Sequence, residues 1–197
     1  MIQAMGANNY PEMVSERLRL RAFTAADADA VTDLAGDRAV AATTLSIPHP
    51  YARGDAEQWI ASHHEAFVDG RRVSLAITLL EAATLIGAIS LMLDGNNRRA
   101  ELGYWVGQPF WGHGYATEAA RTMLDFGFEG LGLNRIFAHH MQDNPASGRV
   151  LSNIGMEREG VLRQHILKWD EFKDVVLFGL TREGFRAINP PHGSGDD

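Results

Sequence analysis

The sequence predicts one domain of the α+β (mixed α/β) class, with a central mixed twisted sheet of about six to seven strands and about four flanking helices. Its 197 residues suffice for one domain or at most two small ones, and we find no internal repeat and no interdomain linker. The predicted order is strand, two helices, three strands, helix, strand, helix, two strands. Consecutive strands favour an antiparallel meander, whereas a helix between two strands favours a parallel crossover, so the sheet is predicted to be mixed.

The N-terminal half is predicted to begin with one strand and two helices. Residues 17–23 alternate apolar and charged side chains, which is the period of a strand. Thr24 is predicted to cap a helix whose apolar stripe ends at Gly36. Residues 43–53 contain two prolines and are predicted to form a loop, and a second helix is predicted over residues 55–68.

The rest of the chain is predicted to build most of the sheet. Residues 73–80 and 84–94 are β-rich, and Asp94-Gly95-Asn96-Asn97 is a strong turn signal after the second of these strands. The further predictions are a strand over 100–106, a helix over 115–130, a strand over 135–141, a short helix from Asn144-Pro145 to Gly155, and strands over 157–169 and 172–181.

Charge and composition exclude several classes of protein. With 25 acidic and 18 basic side chains the formal charge is −7, which argues against direct nucleic-acid binding and favours cationic partners such as amines. The absence of cysteine excludes disulfides, thiolate nucleophiles and thiolate metal sites. No apolar run approaches the roughly 18 residues that span a bilayer, and residues 1–14 do not resemble a secretion signal. We therefore expect a cytoplasmic protein without a membrane partner.

The most informative segment is a Gly-x-Gly loop between a predicted strand and a predicted helix, Trp111-Gly112-His113-Gly114-Tyr115-Ala116-Thr117. Glycine adopts positive φ without strain, so successive amides there are free to turn toward one point beside the unbonded N–H groups of the helix start. Such a site binds anions, most often phosphate. A dinucleotide fingerprint requires glycine or alanine at position 117, which is Thr117, and the chain has no Gly-Lys-Ser/Thr run for a triphosphate loop.

Several motifs together resemble the GNAT acyl-CoA N-acyltransferases, and in particular the branch that acetylates ribosomal-protein N-termini. The matching segments, in order, are Ala100-Glu101-Leu102-Gly103-Tyr104-Trp105, Trp111-Gly112-His113-Gly114-Tyr115-Ala116-Thr117-Glu118-Ala119, Asn144-Pro145-Ala146-Ser147 and Gly155-Met156. The chain departs from the family at Pro109, where the loop motif has arginine or glutamine. The resemblance implies an N-acetyltransferase domain over residues 15–187, between a flexible N-terminus (1–14) and a flexible tail (188–197).

The same resemblance implies the reaction and its partners. The enzyme transfers the acetyl group of acetyl-CoA directly to a primary amine, taken to be a protein N-terminal amine, without a metal, and a homodimer is the family-level expectation. The implied CoA-binding residues are Tyr104, Trp105, Val106, Trp111, Gly112, His113, Gly114, Tyr115, Ala116, Thr117, Asn144 and Ser147.

Two side chains are predicted to carry the chemistry. Glu101 is the candidate general base, since it lies on the strand that enters the glycine loop, on the same face as Gly103 and Trp105. Leu151 occupies the position at which many GNAT enzymes place a tyrosine as general acid, so Ser147 is the candidate substitute. A backbone amide between Tyr104 and Val106, freed by the β-bulge that the family is known for, is expected to polarise the thioester carbonyl.

Alternatives stay open at this point. Asn144 and Ser147 are also good turn and helix-capping residues, and Glu101 also fits a structural ion pair. His139 and His140 face opposite ways on one strand, which disfavours a shared metal. The acceptor is alternatively a small amine such as an aminoglycoside, a polyamine or an amino acid. A non-catalytic acyl-CoA sensor is the alternative outside the enzymes.

Overall fold

A computed structural model describes residues 10–190, and these residues form one domain around a single mixed sheet of eight strands. The spatial order of the strands is β1-β2-β3-β4-β5-β6-β8-β7. All neighbouring pairs are antiparallel except β5 and β6. The strands are β1 (Met13–Val14), β2 (Leu18–Arg21), β3 (Arg72–Leu79), β4 (Leu85–Asp94), β5 (Arg99–Val106), β6 (Arg135–Met141), β7 (Glu157–Lys168) and β8 (Glu171–Thr181).

Helices cover both faces of the sheet. Ala28, Val31 and Ala35 bury one side of α1 against Ala88 and Trp105, so α1 and α3 cover one face. The opposite face is covered by α4 and α5, whose buried side chains join those of the inward-facing strand residues. The helices are α1 (Ala28–Ala35), α2 (Arg38–Thr43), α3 (Arg53–Val68), α4 (Tyr115–Asp125, continued by a π-helical turn over Phe126–Gly130), α5 (Pro145–Asn153) and α6 (Arg182–Ile188).

The predicted class, meander and crossover are confirmed, with more elements than predicted. Strands β3, β4 and β5 form the antiparallel meander, and α4 connects the parallel pair β5–β6. Three short elements, β1, α2 and α6, were not predicted, because a strand of two residues and helices of six or seven residues are too short to show a clear period. No helix in the described range combines the length and the apolar character that crossing a membrane requires.

The fold begins before the predicted domain boundary at residue 15. The Tyr10 ring lies 4.3 Å from the Phe67 ring, and its hydroxyl donates to the Ser74 carbonyl at 2.8 Å. Residues 10–14 therefore belong to the folded domain rather than to a flexible terminus. The remainder of that segment, residues 1–9, and residues 191–197 of the predicted tail lie outside the described residues.

The parallel strands β5 and β6 stay together for only part of their length. They pair from Arg99↔Arg135 to Glu101↔Phe137, and no pairing follows. On its other edge β5 remains paired with β4 as far as Gly87↔Val106. The sheet is therefore split along the C-terminal part of β5, and this gap connects its two faces.

Candidate active site

A cleft of about 980 Å³ lies at the gap between β5 and β6. On the α4–α5 side it is lined by the glycine loop and by the start of α5. On the α1–α3 side it is lined by residues 43–48 and by the sheet residues Ser74, Ser90 and Glu101. The cleft therefore reaches both faces of the sheet through this split.

The glycine loop presents a run of free backbone amides to the α4–α5 side. Gly112 and Gly114 have φ of +78° and +80°, the left-handed region that glycine adopts without strain. Among the described residues, the amides of residues 112–117 have no hydrogen-bond acceptor, because the loop precedes α4 and the helix start has no preceding turn. Unbonded amides of this kind are what the predicted anion site requires.

An ion pair between Arg17 and Glu118, which the sequence did not reveal, holds the glycine loop in place. The Glu118 carboxylate accepts hydrogen bonds from the backbone amide and guanidinium of Arg17 and from the Ser15 hydroxyl, at 2.7–2.8 Å. Burial opposes the ionisation of Glu118, but these bonds outweigh it and hold its pKa below the usual range. Arg17 also donates to the His113 carbonyl at 3.1 Å. These contacts anchor the loop and the first turn of α4 to the start of β2.

Of the aromatic side chains in the glycine loop, those of Trp111 and Tyr115 line the cleft and that of His113 does not. The Trp111 indole N–H donates to the Val106 carbonyl at 2.6 Å, which ties the loop to the end of β5, and Trp111 and Tyr115 both line the cleft. His113 is exposed, its ring stacks on Tyr115, and its side chain is not among those lining the cleft. The His113 side chain therefore lies outside the cleft, and the predicted contact of His113 with CoA stays a prediction for its backbone amide alone.

Two amides of β5 point into the gap. The Gly107 amide donates to the Ile86 carbonyl of β4, so by the alternation of an antiparallel ladder the amides of Tyr104 and Val106 point away from β4. There β6 has already diverged from β5. The prediction of a β-bulge is wrong, because the β4–β5 register is uninterrupted over this stretch. The divergence of β6 from β5 frees the amides instead.

Tyr104 and Ser147 meet on the α4–α5 side of the gap. Their hydroxyl oxygens are 2.8 Å apart, and burial raises the pKa of Tyr104 to about 12. Asn144 caps α5 by accepting from the Ser147 amide, and its side-chain nitrogen donates to the Thr43 carbonyl. Asn144 therefore positions Ser147, whereas Leu151 is fully buried in the core.

Glu101 lies on the α1–α3 side and is paired with a histidine. Its Oε1 is 3.1 Å from Nδ1 of His139 on β6, and both side chains are partly exposed in the cleft. His140, on the opposite face, packs against Gly148 and Phe178. The described residues contain no group of three or more side chains suited to holding a metal ion.

The outer wall of the α1–α3 side is a loop held by a buried lysine. Residues 44–48 line the cleft, and the Lys168 ammonium donates to the Ile47 carbonyl at 2.9 Å. Burial lowers the pKa of Lys168. Arg163 and His165 on β7 are exposed and are not among the residues lining this cleft.

The cleft passes through a split sheet and is lined by free loop amides on one side and by ionisable groups on the other, which is the arrangement of an enzyme whose site is reached from both faces of the sheet. The sequence profile of the acetyltransferase (GNAT) domain matches residues 17–157, which is more than half of the chain. The chain belongs to the GNAT acetyltransferase family, and it is an acyltransferase, as the sequence predicts.

Individual relatives agree with this assignment. The uncharacterized N-acetyltransferase p20 of Bacillus licheniformis is 30% identical over 174 residues, covering 88% of this chain and 97% of that protein. The [ribosomal protein uS5]-alanine N-acetyltransferase of Escherichia coli is 30% identical over 96 residues, covering 49% of this chain and 50% of that protein. The crystal structure of a GNAT-family acetyltransferase from Bacillus anthracis is similar with a TM-score of 0.79 and 26% identity, covering 88% and 99% of the two chains.

Proposed function

We propose that this chain is a cytoplasmic enzyme that transfers the acetyl group of acetyl-CoA to a protein N-terminal amine of the ribosomal-protein type. The observation that carries the proposal is the cleft through the split sheet, with free loop amides at one end and the Glu101–His139 pair on the other face. The similarity to an acetyltransferase named for an alanine of ribosomal protein uS5 supports the choice of acceptor.

Acetyl-CoA enters from the α4–α5 side in this proposal. The amides of residues 112–117 bind its diphosphate at the positive end of the α4 dipole. Each hydrogen bond to a charged group contributes about 1.5–3 kcal/mol, so a few of them are enough to anchor the cofactor arm. The anchor directs the pantetheine arm and its thioester toward Tyr104 and the gap in the sheet.

The thioester carbonyl is polarised at the gap. The Tyr104 and Val106 amides point into it without a strand partner, and an oxyanion donor of this kind is worth about 3–4 kcal/mol in catalysis. They therefore stabilise the negative oxygen that forms when the amine attacks the carbonyl carbon.

The departing thiolate meets the Tyr104–Ser147 hydroxyl pair. A thiol of the cysteine kind has a pKa of about 8.5, well below the pKa of about 12 of Tyr104. Tyr104 is therefore too weak an acid to give its proton away completely, and it acts with Ser147 as a hydrogen-bond donor to the sulfur. This changes the predicted role of Ser147 from general acid to stabiliser of the leaving group.

An α-amine suits this site better than a lysine or polyamine. Its pKa is about 7.7–8.0 against about 10.4 for lysine, so at pH 7 making it neutral costs about 1 kcal/mol rather than about 5 kcal/mol. Removal of its proton is assigned to the Glu101–His139 pair on the acceptor side of the gap.

The acceptor is tested by incubating the protein and acetyl-CoA with N-terminal peptides of ribosomal proteins and, separately, with amino acids, polyamines and aminoglycosides. Mass spectrometry reads acetylation, and a thiol reagent reads CoA release. Acetylation of peptide α-amines supports the proposal. Acetylation of small amines alone would identify a small amine as the acceptor in place of a protein N-terminus. CoA binding without thiol release for any amine identifies a non-catalytic sensor.

A further inference from the structure

The Glu101–His139 contact bears on which nitrogen of the His139 ring carries the hydrogen. Oε1 of Glu101 lies 3.1 Å from Nδ1 of His139, and the two side chains are 26% and 20% exposed. An ionised carboxylate carries no hydrogen of its own and attracts one, so this close contact favours the tautomer with the hydrogen on Nδ1. In a neutral imidazole the other nitrogen, Nε2, then holds the free lone pair.

That lone pair is available to a substrate. Within residues 10–190, no other group is hydrogen-bonded to Nε2 of His139, and this nitrogen keeps accessible surface. His139 lines the cleft. It lies two residues after Phe137, which is paired with Glu101, and therefore on the same face of β6 as Phe137. It therefore stands where β6 turns away from β5, at the opening through the sheet.

We propose that Nε2 of His139 is the atom that accepts the proton of the acceptor amine, and that Glu101 is a positioning residue that fixes the Nδ1–H tautomer and stabilises the imidazolium. This inference rests on the proposed function and changes the role that the sequence predicts for Glu101. Imidazoles in water have a pKa of about 6.5 and carboxyl groups of glutamate about 4.3, so an imidazole is the better matched base for an α-amine of about 7.7–8.0.

The proton and electron balance of the step is complete. The ammonium gives one proton to Nε2, which passes it to solvent, and the neutral amine forms the C–N bond at the thioester carbonyl. Collapse of the tetrahedral intermediate breaks the C–S bond, and the sulfur keeps the electron pair. A second N–H proton, from the nitrogen that has become the amide, neutralises the thiolate.

The first test compares His139→Ala with Glu101→Gln. His139→Ala is expected to lower kcat at least 100-fold with little change in the KM for peptide, because a positioned base contributes about 10²–10⁴-fold. Added imidazole is expected to restore at least tenfold of this loss, since it enters the space left by the ring. Glu101→Gln keeps an oxygen that accepts from Nδ1–H and loses only the charge, so we expect a loss of about tenfold.

The control is His165→Ala, an exposed position on β7 outside the cleft, which is expected to keep wild-type kcat and to gain nothing from imidazole. Calorimetry of CoA binding checks that all variants are folded and keep the cofactor site. Wild-type kcat in His139→Ala, or a loss of 100-fold or more in Glu101→Gln with a smaller loss in His139→Ala, would assign the proton to Glu101 and overturn the inference.

A second measurement does not depend on acetyl transfer. Nitrogen-15 NMR of the histidine rings, with the His139 signals assigned by their loss in His139→Gln, reads the tautomer directly. We expect a protonated Nδ1 and an unprotonated Nε2 in the neutral ring, and the opposite tautomer would contradict the inference. An inactive wild-type protein with the expected tautomer would refute the proposed function but not this arrangement of the pair.

Discussion

Replacing Gly112 by alanine separates the stability of the glycine loop from its ability to bind CoA. Gly112 has φ of +78°, and a β-carbon built there meets no atom within 4 Å. The only folding penalty is therefore the left-handed conformation, which costs an alanine roughly 1–2 kcal/mol. We expect Gly112→Ala to lower the free energy of unfolding by about that amount.

The loss of CoA affinity is expected to be larger than this strain. Gly112 lines the cleft that we assign to the diphosphate, so we expect the new methyl group to disturb the amides that bind the ligand. Losing one or more amide contacts to the diphosphate, at about 1.5–3 kcal/mol for each, corresponds to a roughly 10- to 150-fold increase in Kd for one contact. Isothermal titration calorimetry measures the Kd, and denaturant unfolding measures the stability.

Gly70 supplies a matched control outside the cleft. It follows the end of α3 with φ of +65°, and its β-carbon likewise meets no atom within 4 Å. Gly70→Ala is expected to lose about the same stability and to bind CoA with wild-type affinity. Equal CoA affinities for the two variants would refute the placement of the diphosphate at the loop.

Substitutions at Ser147, at the buried His63 and at Lys168 test the hydroxyl pair, the pH dependence of stability and the loop of residues 44–48. Ser147→Ala is expected to lower kcat less than tenfold, because Tyr104 keeps its proton with a pKa of about 12; a loss of 1,000-fold would restore Ser147 as general acid. Burial, assisted by the charge of Arg72, lowers the pKa of His63 to about 4 from 6.5, so the unfolded chain binds its proton first as the pH falls. The free energy of unfolding is therefore expected to lose roughly 3 kcal/mol more in wild type than in His63→Leu between pH 6.5 and pH 4, and parallel pH curves would contradict this. Lys168→Met removes the hydrogen bond from Lys168 to the Ile47 carbonyl. In steady-state kinetics we expect a severalfold higher KM for the amine, and in calorimetry an unchanged affinity for CoA. Weakened CoA binding would show that this loop supports the CoA site instead of the acceptor site.

The glycine loop and its flanking elements were predictable because local signals specify them. Two glycines with positive φ, the alternation over 100–106 and the helical stripe after Tyr115 each depend on neighbouring residues only. The same holds for the helix start at Asn144. Thr24, by contrast, precedes a 3₁₀ turn over Ala25–Asp27 rather than α1 itself, and its hydroxyl donates to Asp27 instead of capping a backbone amide. The two-residue strand β1 and the helices α2 and α6, of six and seven residues, lack such a period and were missed.

Contacts between distant parts of the chain were not predictable in the same way. Arg17 and Glu118 are 101 residues apart, and nothing near either residue indicates the other. The pairing of Glu101 with His139 depends on the register of β5 and β6 and on where they diverge, which no single residue specifies. Aligning the two predicted parallel strands would have placed His139 near Glu101, and this alignment could have indicated their contact.

The most direct test of the central claim is a calorimetric titration of the folded protein with CoA and, in parallel, with pantetheine, which lacks the diphosphate. If the amides of residues 112–117 bind the diphosphate, CoA binds measurably and pantetheine at least 100-fold more weakly. Absence of heat with millimolar CoA, or equal affinities for CoA and pantetheine, would contradict it.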